Sequence, residues 1–292
     1  MVKQAHRMSD SRYLHGVAKD EQRRLSRLND LLNEPVLREL RLIGGERVLD
    51  FGSGLGQLTR AIARRTGPTG RVIGIERSEE QIAEAIRQAG ADRETGLVEF
   101  REGNVFDPPL RADEWGTFDV VHARFLLEHV PNPEAVVRQM ARAARPGARV
   151  ILEDDDHDVL RLWPEPPGLA AIWQAYIQTY EAIGNDPFVG RKLTALLYDG
   201  GLRPTRNTWL FFGASSGDDR LADYVENLIG IFEGAREHVL VQLQKVANQP
   251  LNACARSFDQ AIEAFRQWKT RADVALWYAV CWAEASKPPA AD

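Results

Sequence analysis

Val48-Leu49-Asp50-Phe51-Gly52-Ser53-Gly54-Leu55-Gly56-Gln57-Leu58-Thr59 reads as a short apolar strand, a glycine-rich turn and the first turn of a helix. Glycines let a turn reach positive φ, and without a Cβ they let the backbone approach a ligand closely. Such a turn on its own is equally well a tight strand-to-helix connection, so its meaning rests on what surrounds it. Around it, β-branched apolar runs at 47–51, 71–75, 97–100, 118–121 and 149–152 alternate with amphipathic helical patterns at 57–65, 79–89 and 133–144. Nearly continuous apolar strands separated by helical crossovers predict a parallel sheet covered on both faces.

The second apolar run ends in Glu76, about twenty residues beyond the last glycine of the turn. In open parallel sheets that is the edge where ligands bind, and a carboxylate there can accept both ribose hydroxyl protons. A nucleoside-bearing ligand follows. The turn lacks the GxGxxG spacing that seats a pyrophosphate on a helix amino terminus, and the acid before it, Asp50, repels phosphate and suits an ammonium group.

These residues resemble the class I S-adenosylmethionine-dependent methyltransferases, in particular the ubiquinone/menaquinone-type ("type 11") small-molecule branch. The resemblance is clear over residues 46–152 and holds in outline beyond. Leu49–Gly56 looks like the first motif of that class, Val72–Glu76 like the second, and Gly103-Asn104-Val105-Phe106 like the motif at the adenine edge. Phe118–Val121 with Leu127-Glu128-His129-Val130-Pro131 resembles the fourth, and Arg145-Pro146-Gly147-Ala148 the turn before strand five, with Gly-Ala where a double glycine is more frequent.

The resemblance implies an α/β fold: a Rossmann-like, seven-stranded, mostly parallel sheet with helices on both faces. Residues 1–44 would form an amino-terminal helical lid and 45–156 the cofactor-binding core. Residues 157–189 would be a helical insertion forming the acceptor pocket, 190–286 would complete the core with an antiparallel edge pair, and 287–292 would be a disordered tail. S-adenosyl-L-methionine is the implied cofactor, with S-adenosyl-L-homocysteine as product. Gly52, Ser53, Gly54 and Gly56 would contact its methionyl part, Asp50 its ammonium group and Glu76 the ribose. Asn104 stands where the family usually has Asp and would accept the adenine amine, beside the Val105 amide. Gln57, Arg77, Arg124 and Tyr13 would add contacts, Tyr13 and His15 as part of the lid.

Methyl transfer from a sulfonium is an in-line displacement that needs alignment and, for a hydroxyl or ammonium acceptor, removal of a proton. His129 and Glu128, after strand four, are the candidate catalytic residues, although His-Val-Pro there also serves as a structural element. His122 is a further candidate from the same strand. The acidic run Glu153-Asp154-Asp155-Asp156-His157-Asp158 reads first as solvated or capping acids. Orienting a basic amine or binding a hard cation are the other uses of such a run. No metal site is assigned. Trp163, Trp173, Tyr176 and Tyr180, with Phe188, would line an aromatic pocket or pack as core.

Composition narrows the alternatives. The 292 residues hold 37 Lys+Arg against 42 Asp+Glu, a net charge of -5, so no basic field draws the chain to nucleic acid or anionic membrane. Arg60, Arg64, Arg65 and Arg71 read as a solvated helix face. Cys254 and Cys281 have no disulfide or zinc spacing. No apolar run reaches the ~18 residues of a membrane span, and the amino terminus has no signal-type core, which predicts a cytoplasmic protein. The acceptor is expected to be a small molecule. Leucines of the 9–42 segment, which Pro35 should break, could pair between chains. Two rivals stay open: an NAD(P)-dependent oxidoreductase on a similar sheet, and a non-catalytic S-adenosyl-ligand-binding regulator.

Overall fold

The computed structural model describes residues 19–289. The stretch from β1 (Arg47–Phe51) through α2 (Gln57–Thr66), β2 (Arg71–Glu76), α3 (Glu79–Ala91), β3 (Val98–Glu102), β4 (Phe118–Arg124), α4 (Pro133–Ala143) and β5 (Ala144–Asp154) is the expected α/β alternation. These five strands are parallel in the order β3-β2-β1-β4-β5. Alternate residues of one strand serve opposite faces: Leu49 and Phe51 pack with Val136, Val137 and Met140 of α4, whereas Val48 packs with Leu58 and Ile62 of α2. The helix starts are specified locally. Ser78 accepts from the Gln81 amide and Asn132 from Ala135, while Pro133 sits in the first turn of α4.

After β5 come β6 (Arg161–Trp163), α5 (Leu169–Ala182), α6 (Leu193–Asp199), β7 (Arg203–Ser215), α7 (Asp219–Gly234), α8 (Arg236–Ala247), α9 (Leu251–Trp268) and β8 (Ala275–Ser286). β8 runs antiparallel between β5 and β7, so the antiparallel pair completes the sheet as expected. The sheet has eight strands rather than seven. β5 covers β8 only from Cys281 onward, and the uncovered half of β8 is paired by the three residues of β6. Three residues between a charged stretch and a proline carry no periodicity, which is why sequence reading passes over β6.

Four helices, α5, α7, α8 and α9, form a separate layer over β7 and β8, built on Tyr176, Tyr180, Leu228, Phe232, Phe258 and Phe265. The amino-terminal helix α1 (Lys19–Leu40) runs on through Pro35 instead of breaking there. The ring costs a backbone hydrogen bond, but Leu32, Val36, Leu37 and Leu40 are buried and hold both halves in line. Those leucines are spent within the chain, which removes them from the expected pairing between chains.

Two further readings are corrected. Arg60 is no solvated residue: at 6% exposure it is bound to Glu94, Asp92 and Gln88, tying α2 to the end of α3. Lys287, expected to open a disordered tail, is instead held in place, exchanging backbone hydrogen bonds with Gly147 and Ala148 at 2.9 Å. Among the described residues no helix is long and apolar enough to cross a membrane.

Candidate active site

A cavity of about 760 Å³ opens at the carboxyl ends of β1, β2, β4 and β5. Its floor is the glycine-rich turn. Gly52 and Ser53 both donate to the Ile75 carbonyl, at 2.8 and 2.9 Å, which folds the turn back against β2. The Gly54 amide donates to Glu76 Oε2 at 3.1 Å, and the Arg77 and Ser78 amides donate to Oε1 at 2.8 and 3.0 Å. Three amides therefore fix the Glu76 carboxylate at the rim. Gly52 has φ 71°, and a Cβ there would lie 3.1 Å from Leu126.

Asp50, Gly52, Ser53, Gly54, Gln57, Glu76, Arg77, Asn104, Val105, Arg124, Glu128 and His129 all line this cavity. Of the expected ligand contacts, Gly56 is absent from the lining. Its Cβ would meet Phe100 at 2.4 Å and Ala85 at 2.9 Å, so packing and its φ of 73° explain the glycine. Tyr13 and His15 lie outside the described residues. Asn104 Oδ1 accepts from the Phe106 amide at 3.0 Å, which shapes its own turn. Arg124 ends β4 and donates to Asn29 and Asn33 of α1. Its Nη1 and the Ser53 hydroxyl are buried without a hydrogen-bond partner among the described residues.

Beneath the turn lies a buried polar chain. Asp50 accepts from Thr59 Oγ1 at 2.5 Å and faces His122 Nδ1 at 2.8 Å, while His122 Nε2 lies 2.6 Å from Glu153. Burial pushes the His122 pKa down, but the hydrogen bonds to two carboxylates outweigh it and raise the value to about 9. His122 is thus a positively charged strut inside strand four, fully buried, and no proton acceptor at neutral pH.

The far wall comes from two turns and the helical layer. Glu128 faces His129 Nε2 at 3.4 Å and His157 Nε2 at 3.0 Å. Burial lowers and the Glu128 hydrogen bond raises the His157 pKa, with a net rise. Asp155 is driven up to about 7 by burial and by the charge of Glu128. The acidic run is mostly not solvated: Glu153, Asp154 and Asp156 are all buried. Trp173, Tyr176 and Tyr180 line the cavity as expected, with the His157 ring 5.1 Å from Tyr180 and 5.4 Å from Trp173. Trp163 does not; it is 68% exposed on β6, and Phe188 lies instead under Arg191. Tyr224, Asn227 and Tyr278 complete the wall from α7 and β8. They lie more than sixty residues from the motifs in sequence, and no local pattern marks them.

The family model described as a methyltransferase domain matches residues 18–205. Among characterised proteins, the chain is 34% identical over 157 residues to 27-O-demethylrifamycin SV methyltransferase of Amycolatopsis mediterranei, covering 54% of each chain. It is 30% identical over 139 residues to demethylmenaquinone methyltransferase of Lactococcus lactis, covering 47% of this chain and 53% of that one. The matches span about half the length of these relatives. Among solved structures, a SAM dependent methyltransferase from Aquifex aeolicus superimposes with a TM-score of 0.51 at 22% identity, covering 66% of this chain and 93% of the other.

Proposed function

We propose that this chain, which belongs to the methyltransferase-domain family, moves the methyl group of S-adenosyl-L-methionine onto a small organic acceptor. The observation that carries the reading is the glycine turn whose Gly54 amide and neighbours pin the Glu76 carboxylate at the mouth of a cavity with an aromatic and acidic far wall. The residues suit this cofactor. Ser53 Oγ and Arg124 Nη1 are buried polar atoms without partners among the described residues, on the side where an amino-acid moiety would lie. Glu76 Oε2, which accepts a single amide, keeps a lone pair for a ribose hydroxyl, and Asn104 and Val105 line the cavity at the adenine edge.

The cofactor supplies a methyl group activated on a sulfonium. The chain's own share is alignment, exclusion of water and handling of one proton. Trp173, Tyr176 and Tyr180 offer flat apolar surface to an organic acceptor. His129, 3.4 Å from Glu128, is the proposed proton acceptor when the nucleophile is a hydroxyl or an ammonium. The quinone and rifamycin methyltransferases among the relatives support a ring-bearing acceptor. The GxGxG spacing of the turn speaks against a dinucleotide.

Isothermal titration with S-adenosylmethionine and S-adenosylhomocysteine, with NADH as the control, tests the assignment. Binding of both S-adenosyl ligands is expected, and Glu76→Ala should weaken it roughly tenfold to a hundredfold through loss of charged hydrogen bonds. No binding, or a preference for NADH, would sink the assignment. Binding without any product across a panel of phenols, quinols and amines would favour a non-catalytic regulator.

A further inference from the structure

The acidic run after strand five sorts itself by partner. Glu153 is on His122 at 2.6 Å. Asp154 accepts from the amides of Leu126 at 3.2 Å, Leu127 at 2.7 Å and Asp155 at 3.1 Å. Asp156 and Asp158 both hold Arg191, at 2.6 and 2.5 Å. Asp155 alone of the run lines the cavity with no cationic hydrogen-bond partner among the described residues, receiving only the Tyr278 hydroxyl. Opposite it stand Glu128 and His157, also on the cavity wall.

We propose that Glu128, Asp155 and His157 form a binding site for a first-row divalent metal ion in the wall of this cavity. One donor atom from each residue lies within 4.8 Å of the other two. A single ion touching each at about 2.0–2.4 Å spans such a triangle. Two carboxylate oxygens with one imidazole nitrogen favour ions such as Mn²⁺ or Zn²⁺ over Ca²⁺, which prefers an all-oxygen shell.

The donors are held by their surroundings, as a metal site requires. Tyr278 orients Asp155. The backbone of Asp155 is fixed by the Gly190 amide at 2.9 Å, and a Cβ on Gly190 would fall 2.7 Å from the Asp155 carbonyl oxygen. His157 is anchored through its amide to Pro187 and through its carbonyl to the Trp173 indole, each at 3.0 Å, with its ring boxed by Trp173, Tyr176 and Tyr180. Asp154, by gripping the Leu126 and Leu127 amides, locks the Glu128 turn against the Asp155 turn. All three donors line the cavity, so a molecule held there would lie beside the ion. On the methyltransferase reading, and only there, an oxygen of the acceptor would reach the ion and lose its proton more readily.

The test uses the full chain stripped with EDTA. MnCl2 is titrated in while the signal of free Mn²⁺ is followed by electron paramagnetic resonance, and ZnCl2 is titrated against a chelating dye. One ion should bind per chain, and Asp155→Asn and His157→Ala should each weaken it at least about tenfold. Tyr278→Phe keeps all three donors and should weaken binding a few-fold, so the proposal stays testable should the donor variants fold poorly. Absence of binding to the wild-type chain, or binding indifferent to all three variants as for a surface acid, overturns the site. S-adenosylhomocysteine binding is measured on the same samples. Retained S-adenosylhomocysteine binding with no metal binding removes the metal site alone, and the reverse removes the methyltransferase reading alone.

Discussion

His122 makes the stability of the fold depend on pH. Its pKa stands at about 9 against an ordinary 6.5, because two carboxylates more than repay its burial. A raised folded-state pKa means that the stabilisation is complete below about 6.5 and is lost as pH rises through about 9. Urea unfolding should therefore show a decline over that window, at most about 1.4 kcal/mol per pH unit from this residue. His122→Gln should be less stable at pH 6 and should lack the decline; an unchanged slope in the variant would place its origin elsewhere. Gly56 supports a second residue-scale expectation. Ala there adds a Cβ 2.4 Å from Phe100 at a φ of 73°, so Gly56→Ala should cost about 2–4 kcal/mol. Gly201, with φ 79° and nothing within 4 Å, should lose less on the same change, as thermal melts of the two variants would report. At this scale the sequence betrayed the residues that act through the local backbone: the glycines, Asp50 and Glu76. It was silent on Tyr224, Asn227 and Tyr278, because a side chain brought in by a distant helix or strand leaves no spacing to read.

Elements differ in how plainly they announce themselves. β1, β2, β4 and β5 are legible because each carries a buried apolar run, such as Val48-Leu49, Val72-Ile73, Val120-Val121 and Val150-Ile151-Leu152, while the edge strand β3 shows only Val98 and Phe100. β6 is illegible because three residues pair only with the half of β8 that β5 leaves open. α1 is legible as a helix but not in its continuity through Pro35, since tertiary burial overrides the local cost. The middle of α1 is tied over the cavity by Arg124, through Asn29 and Asn33, and by Asn29 Nδ2 to Gln57 at 2.8 Å. Arg124→Ala removes the central donor of that tether. Amide exchange in residues 29–33 should accelerate by on the order of tenfold while β1 and β4 stay protected. Equal acceleration in the strands would mean that Arg124 supports the whole fold rather than the helix.

At the scale of the molecule, the sheet and the helical layer share strands. Phe212, Ala214, Leu276, Tyr278 and Val280 of β7 and β8 lie in the same apolar cluster as α5, α7, α8 and α9, while Cys281, Ala283 and Ala285 of β8 belong to the cluster beneath α4. Neither body can unfold without stripping β8 from the other. Calorimetry should accordingly find one cooperative transition, and two resolved transitions would contradict this coupling. The cavity sits at that seam, so its walls are a product of the assembled molecule, and only its glycine floor belongs to a single local unit.

Seven tryptophans are distributed so that the protein carries its own optical reporter. Trp163, Trp209 and Trp277 are exposed, Trp268 and Trp282 are buried, and Trp115 lies under Arg142. Trp173 is the one that lines the cavity, its indole N–H committed to the His157 carbonyl. Its emission alone should respond when a molecule occupies the acceptor side. Intrinsic fluorescence would then let acceptors be screened without label or turnover, and Trp173→Phe would mark which responses are genuine.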